Sequence, residues 1–320
     1  MNARRTFASP QEAAPYLNRA LHLAIGMFDG VHRGHQVVIN GAIAAAHRQG
    51  GLSAVLTFWP HPSRLFTPDN PVRQLQSPAY RERRLFSLGL DAVITQPFTR
   101  EFASIPADRF LSSLKEWLPT LCAIYVGDNW RFGKGRTGDV PFLQEDGARL
   151  GIDVVSTARM NADGDAISSS RIRSLLVAGD IAEVNALLGY NYFSEGVVVP
   201  GKQLGRTLGF PTLNLTWNPD LAPRFGVYAV RLRDAEQADA AWFPAVANYG
   251  LRPTVEQATE PRLEAHVIGQ CNFDAGDRLI VEWLAFLRPE KRFETVDQLK
   301  AQIAADRDRC ITHFATHSGA

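Results

Sequence analysis

Short apolar, β-branched runs alternate with longer stretches of helical periodicity through the first half of the chain. Residues 21–26, 53–58, 91–95, 121–126 and 153–156 read as strands, and helical patterns occupy 34–49, 78–88, 106–118 and 140–150 between them. Parallel strands need crossover connections, so the alternation predicts a parallel sheet covered on both faces, with ligands beyond the carboxyl ends of its strands. After about residue 191 the texture changes. Residues 194–199, 225–232, 241–248, 262–268 and 278–287 read as strands with no helix between them, and Val227-Tyr228-Ala229-Val230-Arg231-Leu232 alternates with period two. Pro200-Gly201, Asn218-Pro219-Asp220 and Asp274-Ala275-Gly276 supply turns, which predicts a small antiparallel barrel. A last helix over 296–315 carries Val296, Leu299, Ile303 and Ala304 on one side. Two helices, 171–178 and 181–188, are broken by Gly179-Asp180 and bridge the halves, so the expected domains are 1–188 and 189–320.

The length of 320 residues suits two such domains. A formal net charge of +1, with 21% charged residues, argues against a general nucleic-acid binder, which carries a basic excess for phosphate contacts. The basic run Arg81-Glu82-Arg83-Arg84 reads as a solvated helix face. Cys122, Cys271 and Cys310 are far apart and lack metal-ligand spacing, so no disulfide framework or zinc site is expected. No signal-length apolar segment follows Arg4 and Arg5, and no run approaches membrane-spanning length. The expected location is a reducing cytoplasm.

Candidate chemistry sharpens the picture at two places. Gly26-Met27-Phe28-Asp29-Gly30-Val31-His32-Arg33-Gly34-His35 joins the first strand to the first helix. Gly30 and Gly34 permit a tight turn and close backbone approach. His32 and His35 share one helix face, where free N–H groups and the positive helix end suit polyphosphate and two imidazoles can stabilise transition-state charge. A plain glycine turn with a capping histidine accounts for the same residues. A second phosphate-suited segment is Ile167-Ser168-Ser169-Ser170-Arg171-Ile172-Arg173, expected directly after the last strand of the sheet. One serine can cap the helix while Arg171 or Arg173 offers a planar phosphate donor. The loops Thr57-Phe58-Trp59-Pro60-His61-Pro62, with its aromatic and proline character, and Val126 onward through Asp128, Asn129, Trp130 and Lys134 complete a candidate pocket.

The second place is Pro200-Gly201-Lys202-Gln203-Leu204-Gly205-Arg206-Thr207-Leu208-Gly209-Phe210-Pro211-Thr212-Leu213-Asn214-Leu215. It lacks the spacing of a Walker A loop. Its glycines still let backbone N–H groups approach phosphates, and Lys202 and Arg206 offset their charge. Thr212 and Asn214 point to one face of an extended segment, and their oxygens suit a hard cation such as Mg²⁺. A glycine-rich hairpin with locally satisfied side chains is the plainer alternative.

Taken in order, the four segments of the first half resemble the adenylyltransferase half of prokaryotic bifunctional riboflavin kinase/FAD synthetases over about residues 20–188, with the His-x-Gly-His signature of the nucleotidyltransferase superfamily. The glycine-spaced segment, with Phe225 through Val230, Ala247-Asn248-Tyr249-Gly250 through Thr254, and Leu263-Glu264-Ala265-His266-Val267, resembles the riboflavin kinase half over 193 to about 307. The resemblance implies a Rossmann-like nucleotidyltransferase domain followed by a kinase barrel. It implies that Gly26, Phe28, Asp29, His32, Gly34, His35, Asn129, Ser168, Ser169, Ser170, Arg171 and Arg173 serve an ATP site. It likewise implies that Gly201, Lys202, Gly205, Arg206, Gly209, Pro211 and Asn248 serve the kinase site, that Thr212 and Asn214 hold Mg²⁺, and that Glu264 is the general base. The implied activity phosphorylates riboflavin to FMN with ATP, then adenylylates FMN to FAD with release of pyrophosphate. Riboflavin, FMN and ATP are the implied partners, with no nucleic acid or membrane, and self-association stays open. Met27 stands where the family often has asparagine or an apolar residue, and one departure stands out: Asn272-Phe273-Asp274-Ala275-Gly276-Asp277 replaces an Asp-Leu-Tyr-Gly-like turn. A single active half, or a flavin-sensing protein without turnover, remain the alternative readings.

Overall fold

The computed structural model describes residues 5–201, 209–237, 239–251 and 261–317, which fall into two compact units, Met1–Ser169 and Ser170–Ala320.

The first unit runs β1 (Arg5–Phe7), α1 (Pro10–Ala13), β2 (Leu21–Ile25), α2 (Arg33–Gln49), β3 (Leu52–Trp59), α3 (Ser63–Phe66), α4 (Pro78–Ser87), β4 (Ala92–Pro97), α5 (Arg100–Ala103), α6 (Ala107–Trp117), β5 (Leu121–Gly127), α7 (Val140–Leu150) and β6 (Asp153–Thr157). Six parallel strands lie in the order β1-β4-β3-β2-β5-β6. The central strands are buried on both faces, which is why they read as continuous apolar runs. Leu21, Leu23 and Ile25 pack with Leu111, Leu114 and Leu143 on one side, while Ala24 packs with Ile39 and Ala42 of α2 on the other. From β2 the chain builds β3 and β4 on one side and resumes with β5 and β6 on the other. The carboxyl end of β2 therefore opens on the crevice where doubly wound sheets take ligands.

One expectation needs correction here. The serine run does not directly follow the sheet's last strand. A small hairpin, β7 (Asn161–Ala162) and β8 (Asp165–Ala166), intervenes. Its Asp163-Gly164 turn has both φ angles positive, at 55° and 86°. The three-residue edge strand β1 is also new, being too short for a periodic signal.

The second unit opens with α8 (Ser169–Ala178) and α9 (Ile181–Leu188) and continues through β9 (Phe193–Val199), β10 (Leu213–Thr216), β11 (Gly226–Asp234), β12 (Phe243–Leu251), β13 (Pro261–Val267), β14 (Arg278–Arg288) and α10 (Val296–His317). The strands close a barrel in the order β10-β13-β12-β11-β14-β9, antiparallel at every pairing. Its interior is aromatic, with Tyr192, Tyr228, Tyr249 and Trp283 fully buried and Trp283 Nε1 donating to Ser194 Oγ at 2.9 Å. The helix α10 is held to the barrel by Arg288, whose Nε and Nη2 donate to the buried Asp306 carboxylate at 2.9 and 2.7 Å. The departing turn after β13 closes on itself, with Asp274 N–H donating to Asp277 Oδ2 at 2.8 Å and Gly276 at φ 104°.

Candidate active sites

In the sheet unit the chain leaves β2 through a strained turn. Phe28 and Val31 have φ of 48° and 40°, flanking Gly30 at 80°. A positive φ is natural for glycine but costs a non-glycine residue about 1–3 kcal/mol, most for a β-branched one. Val31 N–H donates to Phe28 C=O at 3.1 Å, so the four residues form one tight turn. It delivers His32 as the N-cap of α2, with His32 Nδ1 accepting from His35 N–H at 3.3 Å. An accepting Nδ1 leaves the neutral ring's proton on Nε2. The two imidazoles stack, with centroids 3.6 Å apart, and the Phe28 ring meets His35 edge-on at 5.3 Å. Capping and pairing are thus one arrangement. Gly34 is helical rather than part of the turn, and its role is clearance: a Cβ there would lie 3.3 Å from the His32 ring. At Gly26 a Cβ would come 3.0 Å from the Phe28 ring.

The turn is tied from several sides. Asp29 is buried, and its two carboxylate oxygens accept from Leu75 N–H at 3.0 and 3.2 Å. Ser169 Oγ donates to Asp29 C=O at 2.9 Å. Met27 C=O accepts from both Thr57 Oγ1 and Arg81 Nη1, each at 3.0 Å. Arg81 is the largest surprise of this unit. It is 2% exposed, where the basic run was expected to face solvent. Burial pulls its pKa down, opposed by the charge of Asp29 and then of Glu82. It lies four residues before the fully buried Leu85, on the core-facing stripe of α4, and that spacing was the available signal. The loop after β3 has a cis Trp59–Pro60 bond and a hydrogen bond joining His61 Nδ1 and Ser63 Oγ at 2.8 Å. In the loop after β5, Asn129 is exposed, Trp130 stacks on Phe132 at 4.8 Å, and Asp128 accepts from Arg159 N–H at 3.2 Å. Ser168 belongs to this unit. Ser170, Arg171 and Arg173 belong to the second, where Arg171 pairs with Glu183 at 2.8 Å and Arg173 Nη1 lies 3.5 Å from Ser170 Oγ.

The barrel site is a row across three neighbouring strands. Asn214 of β10 faces Glu264 of β13, and Glu264 faces Asn248 of β12. Facing Cα atoms in such pairs are ~4.5–5.5 Å apart, so the three side chains share one patch. Their sequence neighbours Leu215, Leu263 and Tyr249 are buried in the interior, so the row is on the barrel's outer face. Asn214 is nonetheless buried, and its Oδ1 has no hydrogen-bond partner among the described residues. Gly201 packs directly on it: a Cβ there would lie 2.1 Å from Asn214 Nδ2. Two residues beyond Glu264 on the same face, His266 Nδ1 donates to Pro211 C=O at 2.8 Å, bracing the approach to Thr212, and Phe210 packs edge-on against it. Gly209 turns the chain before it at φ 86°. Lys202, Gly205 and Arg206, like Arg252 through Thr254, lie outside the described residues.

A model of the FAD synthetase family matches residues 15–171, and a model of the riboflavin kinase family matches 188–314. The bifunctional riboflavin kinase/FMN adenylyltransferase of Escherichia coli is 37% identical over 284 residues, covering 89% of this chain and 90% of that protein. The chain belongs to the bifunctional riboflavin kinase/FMN adenylyltransferase family. Other members are similar at 33% identity in Listeria monocytogenes and 32% in Bacillus subtilis, each alignment covering 92% of both chains. The fold also matches a Streptococcus pneumoniae crystal structure described as a macrolide-efflux protein, with TM-score 0.85, 28% identity, and coverage of 95% of this chain and 97% of that one. Among the described residues no helix is long and apolar enough to cross a membrane. Within this family the chain keeps both halves. The stacked histidines lie in the FAD synthetase match, and the Asn214–Glu264–Asn248 row lies in the riboflavin kinase match.

Proposed function

We propose that this chain makes FMN and then FAD, with a separate transferase site in each unit and functional domains at 1–188 and 189–320. The observation that carries the reading is that one chain holds two separate polar constellations, the stacked His32–His35 pair at a helix N-terminus and the Asn214–Glu264–Asn248 row.

At the barrel, Glu264 accepts the proton of riboflavin's terminal ribityl hydroxyl as that oxygen bonds to the γ-phosphorus of ATP. The bond to the bridging oxygen breaks and ADP leaves. Little covalent chemistry falls to the protein, so positioning and charge neutralisation dominate. Asn248 and the backbone around Gly201, Gly209 and Pro211, with Lys202, Gly205 and Arg206, hold the nucleotide. A buried amide oxygen without a partner fits a hard cation, so Asn214 Oδ1 together with the Thr212 hydroxyl would hold Mg²⁺. When bound, Mg²⁺ supplies charge neutralisation at the phosphates.

At the sheet, a phosphate oxygen of FMN attacks the α-phosphorus of ATP and pyrophosphate departs. His32 and His35 offer N–H donors at a helix N-terminus, where phosphate oxygens gain from the helix dipole. Gly26, Phe28, Asp29 and Gly34 shape that cradle, Asn129 contributes from the loop after β5, and Ser168 and Ser169 supply hydroxyls for the leaving group. The free thiols Cys122, Cys271 and Cys310 suit a reducing cytoplasm. The test supplies riboflavin, ATP and Mg²⁺ and resolves products by chromatography. FMN followed by FAD supports two sites, while FMN alone, or no product, overturns the reading.

A further inference from the structure

The strained turn between β2 and α2 needs an outside brace, because Phe28 and Val31 hold left-handed conformations that their own side chains disfavour. The structure supplies one from α4. We propose that Arg81 is the positioning residue of the adenylyl-transfer site, its buried guanidinium setting the spacing between the histidine turn and the aromatic–proline loop by holding one carbonyl of each. Nη1 donates to Met27 C=O at 3.0 Å and Nη2 to Phe58 C=O at 3.3 Å. Met27 is one residue before the strained Phe28, and Phe58 enters the loop at Trp59–Pro60. A rigid planar fork can serve two carbonyls at once; an ammonium on a flexible stem cannot reproduce that geometry. Thr57 Oγ1 places a second donor on Met27 C=O, so this peptide's direction is set from two sides.

The charge is compensated locally. An isolated buried guanidinium is costly, and Asp29 is the carboxylate whose charge acts most strongly on Arg81. The same Asp29 grips Leu75 N–H, two residues before Ser77, the N-cap of α4. Turn and helix are therefore cross-tied, Asp29 holding the start of α4 and Arg81 reaching back from its second turn. Neither group needs to touch a nucleotide to act in this way. Removing the brace leaves the histidines present and moves where they point, and a misplacement on the order of 1 Å costs about 100-fold in rate.

The inference rests on adenylyl transfer taking place at the His32–His35 turn, and the experiment separates the two claims. The full-length chain, Arg81→Lys, Arg81→Met and the double variant His32→Ala/His35→Ala are each assayed for FMN-to-FAD and riboflavin-to-FMN conversion in one preparation with ATP and Mg²⁺. Arg81→Lys keeps the positive charge beside Asp29 and is expected to lower kcat for FAD formation at least about tenfold, with KM for ATP changing less than kcat. Riboflavin phosphorylation stays within about twofold, and Arg81→Met loses about 100-fold in FAD formation. If the histidine double variant leaves FAD formation intact, the site assignment fails. If it abolishes FAD formation while Arg81→Lys stays within about twofold, raises KM alone, or slows both reactions equally, the positioning role fails. Should Arg81→Met not fold, Arg81→Lys decides alone.

Discussion

The two units build their candidate sites in opposite ways. In the sheet unit the groups sit on loops beyond strand ends, on a turn that is strained and braced from a distant helix by Arg81. In the barrel unit they sit on the strands themselves, where the register of β10, β13 and β12 places Asn214, Glu264 and Asn248 side by side. A loop site gains close backbone approach and pays in strain, so it depends on residues outside the motif. A strand-row site needs no brace beyond the ladder, so it depends on register and on what covers it, here Gly201 against Asn214. Damage to the two should therefore look different.

The largest expected effect is on the barrel. Glu264→Gln keeps size and hydrogen bonding yet cannot take a proton. We expect riboflavin phosphorylation to fall about 10²–10⁴-fold, the usual worth of a positioned base, with conversion of supplied FMN to FAD unchanged. Rates measured separately from riboflavin and from FMN check this, and equal loss in both would break the division of labour. Next, His32→Ala/His35→Ala should lower FAD formation by about 10²–10³-fold, comparable to removing charge-stabilising donors elsewhere, so that FMN accumulates when riboflavin is supplied. Retained FAD formation would move the first site away from this turn.

The same contrast explains what could be read from the chain. Barrel strands announce themselves through period-two alternation, but 213–216 and 261–267 are not consecutive strands, so the register that sets Asn214 opposite Glu264 has no local signal. The sheet's strands and helices are equally plain, since its central strands are unbroken apolar runs and left-handed glycines at 50 and 151 stop α2 and α7. The histidine turn is visible as a motif, but its support is not. Arg81 lies 54 positions from Met27 in sequence, and nothing local distinguishes it from Arg83 and Arg84 except its phase with Leu85. The Asp163-Gly164 turn carries an Asp-Gly signal, but the strands it joins are only two residues each, too short for periodicity to mark them.

A smaller effect separates the units by pH. His22 of β2 is buried, its Nδ1 paired with Tyr125 Oη at 3.1 Å and its Nε2 3.6 Å from Cys122 Sγ. Burial lowers its pKa, only partly offset by a hydrogen bond from the ring to the Gln49 side chain and by the charge of Asp153, with Arg48 lowering it further. The folded state thus prefers the neutral ring while the unfolded chain takes up a proton near pH 6.5. The His22 contribution is fully present above that pH and is lost as pH falls through the lowered folded-state pKa. We expect urea unfolding midpoints to drop as pH falls below about 6.5, and the drop to shrink in His22→Gln, with the barrel's tryptophan signals less affected. An unchanged acid slope in His22→Gln would assign the sensitivity to other groups.

The smallest effect tests the barrel interior. Tyr249 is 1% exposed, and its ring packs against Trp217 and Phe225 at centroid distances of 5.2 and 5.3 Å, with Trp283 at 6.0 Å. Its hydroxyl has no hydrogen-bond partner among the described residues, and burial pushes its pKa up to about 12. By contrast, the neighbouring Tyr228 hydroxyl donates to Arg224 C=O. A hydroxyl that gives up water without a partner costs free energy, whereas the ring contacts are the same for phenylalanine. Tyr249→Phe should therefore stabilise the barrel by about 1 kcal/mol, read by calorimetry as a rise of about 2–4 °C in Tm. Because Tyr249 points inward and Asn248 outward, riboflavin phosphorylation should not change. A fall in Tm would mean that the hydroxyl is satisfied, and a fall in kinase rate with Tm unchanged would mean that the outer row senses the interior.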